Sequence, residues 1–230
     1  MIVALEVAAG LALGYFLGSL IESIWHEYIP DAPPRVQAVW KRYPRLCRLM
    51  METHFYHHAI HHHQTYRTNH VTQFDSDEQR ARLEAFLLRR GSFGQIIIRN
   101  GFANRLHTEA LPVFSLPWIA LALTLGLVLP VGVALPVALM LTLPGLFSYV
   151  VHPWIHLPFA EGQRRASPLM AAFLRTPYMK AVYRHHFLHH RHGATGNYNL
   201  VLGGDALRGR SRKADAEDLR VMREIGLPVD

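Results

Sequence analysis

The chain has 230 residues, half of them hydrophobic, and its 24 basic and 17 acidic residues give it a net charge of +7. This length suits one domain over residues 1–230, and the single cysteine, Cys47, excludes an internal disulfide. The basic residues form no motif interleaved with aromatic side chains, so nucleic-acid binding is not expected.

The positive charges are unevenly distributed along the chain. Residues 1–25 and 110–151 contain no Lys or Arg, whereas all 24 basic residues fall within residues 35–105 or 164–223. Because Lys and Arg concentrate on the cytoplasmic side of membrane proteins, both basic blocks are expected in the cytoplasm. This pattern predicts an integral membrane protein, in the inner membrane of a bacterium or the endoplasmic reticulum of a eukaryote.

Three apolar stretches are long enough to cross a bilayer, which takes about 20 residues. They cover about residues 2–25, 110–129 and 131–151, and Pro130 separates the last two. The first lacks a basic front end and a small-residue cleavage site, which favours a retained helix over a signal peptide. No strand-like alternation is visible, so the predicted fold is all-α, with three to four transmembrane helices and a cytoplasmic histidine-rich helical cap.

Start and stop signals predict the helices of the cap. Pro30 ends the first span, and a histidine-rich helix is expected over residues 50–64. Residues 75–78 are a typical N-terminal cap for an amphipathic helix. Residues 167–168 start another helix, which should be interrupted near Pro177.

Histidine is the most unusual component of the chain, with 16 residues. Successive residues of an α-helix turn by about 100°, so positions i, i+3 and i+4 share one face. Two copies of H-x-x-H-H and one i, i+4 pair have this spacing. These imidazoles are predicted to point from three helices towards one site: His58, His61, His62, His152, His156, His186, His189 and His190.

The same arithmetic directs other histidines away from that site. Four are expected to face water or to hydrogen-bond groups behind the ligands: His57, His63, His185 and His192. His54 shares the ligand face but lies one turn earlier, and is borderline. The isolated His70 and His107 are expected to have no metal role.

This many histidines favours a metal centre. Neutral imidazole suits Zn, Cu, Fe and Ni alike, so the ligand type does not identify the metal. A structural zinc site takes four ligands, whereas eight or more histidines from three separated segments are enough for two ions.

The sequence resembles the fatty acid hydroxylase (sterol desaturase-like) superfamily of integral-membrane di-iron enzymes, and most of all its fatty acid 2-hydroxylase branch. The similarity covers residues 19–205 in the order typical of the family. Its motifs are Ser19-Leu20-Ile21-Glu22 with His26; His54-Phe55-Tyr56-His57-His58-Ala59-Ile60-His61-His62; His152-Pro153-Trp154-Ile155-His156; and His186-Phe187-Leu188-His189-His190 followed by Gly196-Asn197-Tyr198-Asn199 and Asp205.

The resemblance implies two iron ions on the cytoplasmic side of the membrane, with zinc as a possible substitute in a purified sample. The ligands that it implies are His26, His58, His61, His62, His152, His156, His186, His189 and His190. Three further positions are borderline, as ligands or as residues behind them: His54, His57 and His185. No protein side chain is implied as a catalytic group beyond the metal ligands.

Asp31 departs from the family pattern. The family has a second histidine five residues after the first of its first box, and here that position is Asp31. An unbroken helix would place Asp31 about 140° away from His26, but the break at Pro30 could swing the carboxylate back. Asp31 is therefore expected to be a tenth ligand.

The implied activity is O₂-dependent hydroxylation or desaturation of a C–H bond in a lipid or another apolar substrate. Electrons would come from an external donor, such as a ferredoxin or a cytochrome b5-like carrier, because no such segment is visible in the chain. Two alternatives stay open: a carotenoid or sterol desaturase or hydroxylase, and a non-catalytic membrane protein that binds metal.

Overall fold

A computed structural model describes residues 2–102 and 111–229, without the side chains of residues 111–114. Within these ranges the regular elements are all helical, as predicted. Two segments are π-helices, here named π1 and π2. In chain order the helices are α1 Ile2–Tyr28, α2 Pro34–Arg42, α3 Arg48–His54, π1 Phe55–His62, α4 Asp77–Leu88, α5 Ser92–Arg99, α6 Leu111–Val128, α7 Val131–Met140, α8 Leu143–Leu146, π2 Phe147–Val151, α9 His152–Ile155, α10 Phe159–Arg165, α11 Pro168–Leu174, α12 Pro177–Arg191, α13 Gly204–Leu207 and α14 Ala216–Glu224.

Two helical stretches are long and apolar enough to cross a membrane. They are Ile2–Tyr28 and the continuous run Val131–Ile155, which includes α7, α8, π2 and α9. Pro130 precedes this run in an extended conformation, which confirms the predicted break between α6 and α7. The predicted span over residues 110–129 begins outside the described residues. Its described apolar part, Ser115–Val128, is shorter than the other two helical stretches.

Glycines on α1 allow it to pack closely against α7. A Cβ atom at Gly10 would lie 2.5 Å from the carbonyl oxygen of Val133, and one at Gly14 would lie 2.8 Å from the Cα of Val137. Small residues spaced by four positions typically let membrane helices approach to backbone contact. Because both contacts advance in the same direction, α1 and α7 run parallel. His26 near the end of α1 and His152 near the end of the run Val131–Ile155 therefore lie on the same side.

The predicted starts of α4 and α11 are confirmed. Ser76 caps α4 by accepting a hydrogen bond from the N–H of Gln79, and Ser167 caps α11 through the N–H of Met170. Helix α11 ends at Leu174 and α12 begins at Pro177, as the predicted interruption requires.

Helix α12 belongs to the core of the structure. Its Met179 and Tyr183 are fully buried and belong to a core cluster with Ile155 and Leu174. The hydroxyl of Tyr183 donates to the carbonyl of Trp154 at 3.0 Å. This packing places α12 beside α9, so the histidines of the two helices face each other.

Buried polar groups join α1 to the loop that follows α12. The carboxylate of Glu22 accepts hydrogen bonds from the N–H groups of Leu200 and Val201, at 3.1 and 2.9 Å. Ser23 donates to the Asp205 carboxylate at 2.5 Å. These bonds link residues about 180 positions apart and hold the start and the end of the chain together around the histidines. We call this set the polar clamp.

The glycine packing generates a stability prediction. Gly14→Ala should destabilise the protein by about 1–3 kcal/mol, because the added methyl group overlaps the α7 backbone. Gly126→Ala is the matched control, since a Cβ at Gly126 meets nothing within 4 Å. Thermal unfolding in detergent should show a lower midpoint for Gly14→Ala only. Equal midpoints for the two variants would contradict the parallel packing.

Candidate metal centre

The histidine-rich helix is α-helical only up to His54 and continues as π1. In a π-helix the hydrogen bonds run from i to i+5, so residues five apart share a face. The Nε2 atoms of His57 and His62 accordingly lie 3.0 Å apart, and those of His58 and His63 lie 3.3 Å apart. The expectation that His57 projects away from the site was therefore wrong, because it assumed α-helical geometry.

The end of α1 brings Asp31 back towards His26. The N–H of Asp31 donates to the carbonyl of His26 at 3.0 Å, which forms a wide turn over five residues. One oxygen of the Asp31 carboxylate then lies 3.1 Å from Nε2 of His26. The predicted return of Asp31 at the Pro30 break is found.

One group of donor atoms consists of imidazoles alone. Its ligand atoms lie within 4.8 Å of one another and belong to His61, His156, His186 and His190. We call it the all-histidine group. The Nε2 atom of His152 is 2.9 Å from that of His186 and 3.3 Å from that of His156, so His152 adjoins this group.

A second group combines imidazoles with a carboxylate. Its ligand atoms also lie within 4.8 Å of one another and belong to His26, Asp31, His57 and His189. We call it the mixed group. The side chain of Asp31 is 1% exposed, and one of its oxygens lies 3.3 Å from Nε2 of His189.

His62 lies between the two groups. Its Nε2 is 3.0 Å from Nε2 of His57 and 3.2 Å from Nε2 of His189, both in the mixed group. Its Nδ1 is 3.2 Å from Nδ1 of His190, in the all-histidine group. A single imidazole therefore separates the two groups.

Backbone carbonyls orient two of the grouped histidines. Nδ1 of His156 donates to the carbonyl of His70, and Nδ1 of His189 donates to that of Gly196, each at 2.8 Å. A ring that donates from Nδ1 keeps the lone pair of Nε2 available to a metal ion. Both rings thus present the nitrogen that faces the other donors.

Burial sets the protonation states of the groups. It lowers the pKa values of His61, His186 and His190 well below the usual value, so these imidazoles are neutral, as metal binding requires. Burial alone would raise the pKa of Asp31, but His57 and the other surrounding imidazoles outweigh it and hold that pKa well below its usual value. Asp31 is therefore an anion.

Several buried nitrogens at the centre have no hydrogen-bond partner among the described residues. They are both ring nitrogens of His61 and Nε2 of His190. Leaving such groups unsatisfied costs about 1–3 kcal/mol each. A cation coordinated by their lone pairs would remove part of this cost, so the donor set fits a metal ion. Each group could hold one.

His58, although predicted as a ligand, belongs to neither group. Its ring is 32% exposed, and its Nδ1 bonds to the Asp31 carboxylate at 2.9 Å. The borderline His54 donates from Nδ1 to the carbonyl of Pro30 at 2.8 Å and stacks on His58. These two rings therefore line the outer side of Asp31.

One histidine of α12 and the histidine just after it bond to carboxylates away from the groups. Nε2 of the borderline His185 lies 2.8 Å from Asp205, and Nε2 of His192 lies 3.2 Å from Asp218. Their predicted outward orientation is found. His107 lies outside the described residues.

His70 was missed by the sequence argument. It is 3% exposed, and its ring centroid lies 4.4 Å from that of His156. His70 lies outside the H-x-x-H-H boxes, so its spacing in the sequence gave no signal. A turn of the backbone brings it to the centre.

Comparisons with models of known families, with curated proteins and with solved structures find no match for this chain. The case for the centre therefore depends on its residues and geometry.

The π-helical geometry yields a prediction for metal content. His57→Ala and His61→Ala should each lose metal, because each removes a donor from one group. His192→Ala is the control and should keep its metal, since that ring bonds to Asp218 outside the groups. Elemental analysis of the purified variants measures the effect. If His57→Ala and His192→Ala retained equal amounts of metal, His57 would not be a metal ligand.

Asp31 yields a second prediction. Asp31→Ala should reduce occupancy of one of two metal positions, because it removes the only carboxylate of the two groups. Asp31→His should restore occupancy by supplying a neutral donor at the same position. Metal titration of both variants measures this occupancy. Two fully occupied positions in Asp31→Ala would show that Asp31 is only a carboxylate at a helix end.

Proposed function

We propose that this chain is an integral-membrane, O₂-dependent, non-haem di-iron oxidoreductase of the fatty acid hydroxylase (sterol desaturase-like) superfamily. It hydroxylates or desaturates a C–H bond of a lipid or another apolar substrate. The observation that carries the proposal is the pair of adjacent buried donor groups at the ends of two apolar helices. Iron bound there would supply the activation of O₂ that an unreactive C–H bond requires.

The residues of the chain determine the charge of this site and its access to water. Imidazoles of both groups would hold the ions, and Asp31 places one negative charge in the mixed group. His61, His186 and His189 are each about 1% exposed, so bulk water is kept away from the ions. A dry site strengthens electrostatic interactions and prevents side reactions of activated oxygen.

The apolar surface of the helices supports a lipid substrate. Leu5 on α1 and Leu135 and Leu139 on α7 are about two-thirds exposed, at 65%, 66% and 63%. Such residues are suited to contact acyl chains rather than water. Because α1 carries His26 and the run Val131–Ile155 carries His152, a substrate dissolved in the bilayer would reach the metal ions along them.

A basic groove supports an external electron donor. The groove has a volume of about 640 Å³, and its cationic lining residues are Lys180, Arg184, Arg212 and Lys213. His185 and Asn197 also line it, and Gly196, next to Asn197, accepts the hydrogen bond from His189. An acidic carrier such as a ferredoxin or a cytochrome b5-like protein would bind here by charge complementarity, close to the mixed group. We place this face in the cytoplasm because it carries the basic residues.

The test is metal content and oxygen consumption of the protein produced with iron and purified in lipid nanodiscs. We expect two irons per chain and O₂ uptake that depends on a reduced donor and on an apolar substrate. His186→Ala should abolish the uptake, whereas His192→Ala should retain it.

Other outcomes distinguish the alternatives. Stable zinc, no iron after reconstitution and no O₂ uptake would support a non-catalytic metal-binding protein. Uptake with carotenoids or sterols but not with acyl lipids would support the alternative desaturase or hydroxylase. Lipid analysis of cells with and without the gene would identify the product.

A further inference from the structure

His70 is a buried histidine, and only one of its two ring nitrogens has a hydrogen-bond partner among the described residues. Its Nε2 lies 2.8 Å from the carbonyl oxygen of Ile155, which can only accept, so Nε2 carries the proton. A neutral imidazole carries a proton on only one of its two nitrogens. Its Nδ1 therefore has a free lone pair. This atom is buried and has no hydrogen-bond partner in the described part of the chain.

The ring of His70 packs against the all-histidine group. Its centroid lies 4.4 Å from that of His156, 5.0 Å from that of His190 and 5.3 Å from that of His186. These values match the distances among the group members themselves, such as 4.9 Å between His156 and His186. His70 thus packs against three of the rings that supply the donor atoms of the group.

The backbone fixes His70 in this position. Thr65, fully buried, donates to the carbonyl of His61 at 3.0 Å, and Tyr66 adopts a left-handed conformation with φ of 52°. Such a conformation is uncommon for a bulky residue and persists only where its surroundings hold it. Tyr66 stacks on His156, and the carbonyl of His70 accepts from Nδ1 of that same histidine.

We infer that Nδ1 of His70 is a further nitrogen donor to the metal ion of the all-histidine group. This inference rests on the metal-binding part of the proposed function. A buried acceptor without a partner is costly, and a cation in the space enclosed by the four grouped imidazoles satisfies it. The sequence boxes do not include His70, which reaches the group only through the turn at Tyr66.

The added donor makes the two metal positions different. The four grouped imidazoles, the adjoining His152 and His70 supply six nitrogens in total, enough to fill an octahedral ion. The mixed group has four donors, and the adjoining His62 makes a fifth. A six-coordinate ion there would keep one position for a small molecule. Exogenous ligands are therefore expected to bind at the ion beside Asp31.

The test replaces His70 with glutamine, whose amide nitrogen can keep the bond to Ile155 while the imidazole lone pair is lost. Cobalt(II) is the probe, because its visible absorption is weak when six-coordinate and stronger at lower coordination. We expect His70→Gln to show stronger absorption and about 10-fold or faster release of one cobalt ion to a chelator. Added imidazole should reverse both effects in His70→Gly.

The control is His192→Gln, which should match the wild type in both measurements. Wild-type spectra and release rates in His70→Gln would overturn the inference. Failure of the wild type to bind any metal would overturn this inference and the proposed function together. Normal metal binding without O₂ uptake would overturn only the oxygenase, and the His70 measurements would stand independently.

Discussion

The centre depends on how each buried imidazole uses its two ring nitrogens. An imidazole removed from water must satisfy both nitrogens or lose stability. His156, His189 and His70 each donate one N–H to a backbone carbonyl, which fixes the tautomer and leaves the other nitrogen as an acceptor. The carbonyls belong to loops and helix ends, where they are not used by the helical hydrogen bonds. The arrangement of loops around the helices thus determines which nitrogens face the other donors of each group.

Charge distinguishes the two groups as much as geometry does. The all-histidine group contributes no negative charge to an ion, whereas the mixed group contributes the Asp31 carboxylate. At short range in a dry site, one full charge is a large difference. An ion bound in the mixed group would therefore be stabilised in a higher charge state than one bound in the all-histidine group. His62, which separates the groups, adjoins both environments.

Local signals allowed the sequence to predict much of the fold. Pro130 breaks the apolar stretch because it has no backbone N–H to continue the preceding helix, and the Ser76 and Ser167 caps act within four residues of the chain. The position of His57 was not predictable from an α-helical wheel, because the helix changes to π geometry at Phe55 without a sequence signal that we recognise. His70 was missed for a different reason: only a tertiary turn brings it to the site.

The mixed group, like the polar clamp, combines residues from distant parts of the chain. The all-histidine group needs only residues 61–190, but the mixed group combines His26 and Asp31 with His189. Contacts this distant in sequence form slowly, because a long loop must close first. Glu22 binds the backbone of the loop that also contains Gly196, the partner of His189. One loop therefore carries both the backbone N–H groups that Glu22 binds and the carbonyl that orients His189, a donor of the mixed group.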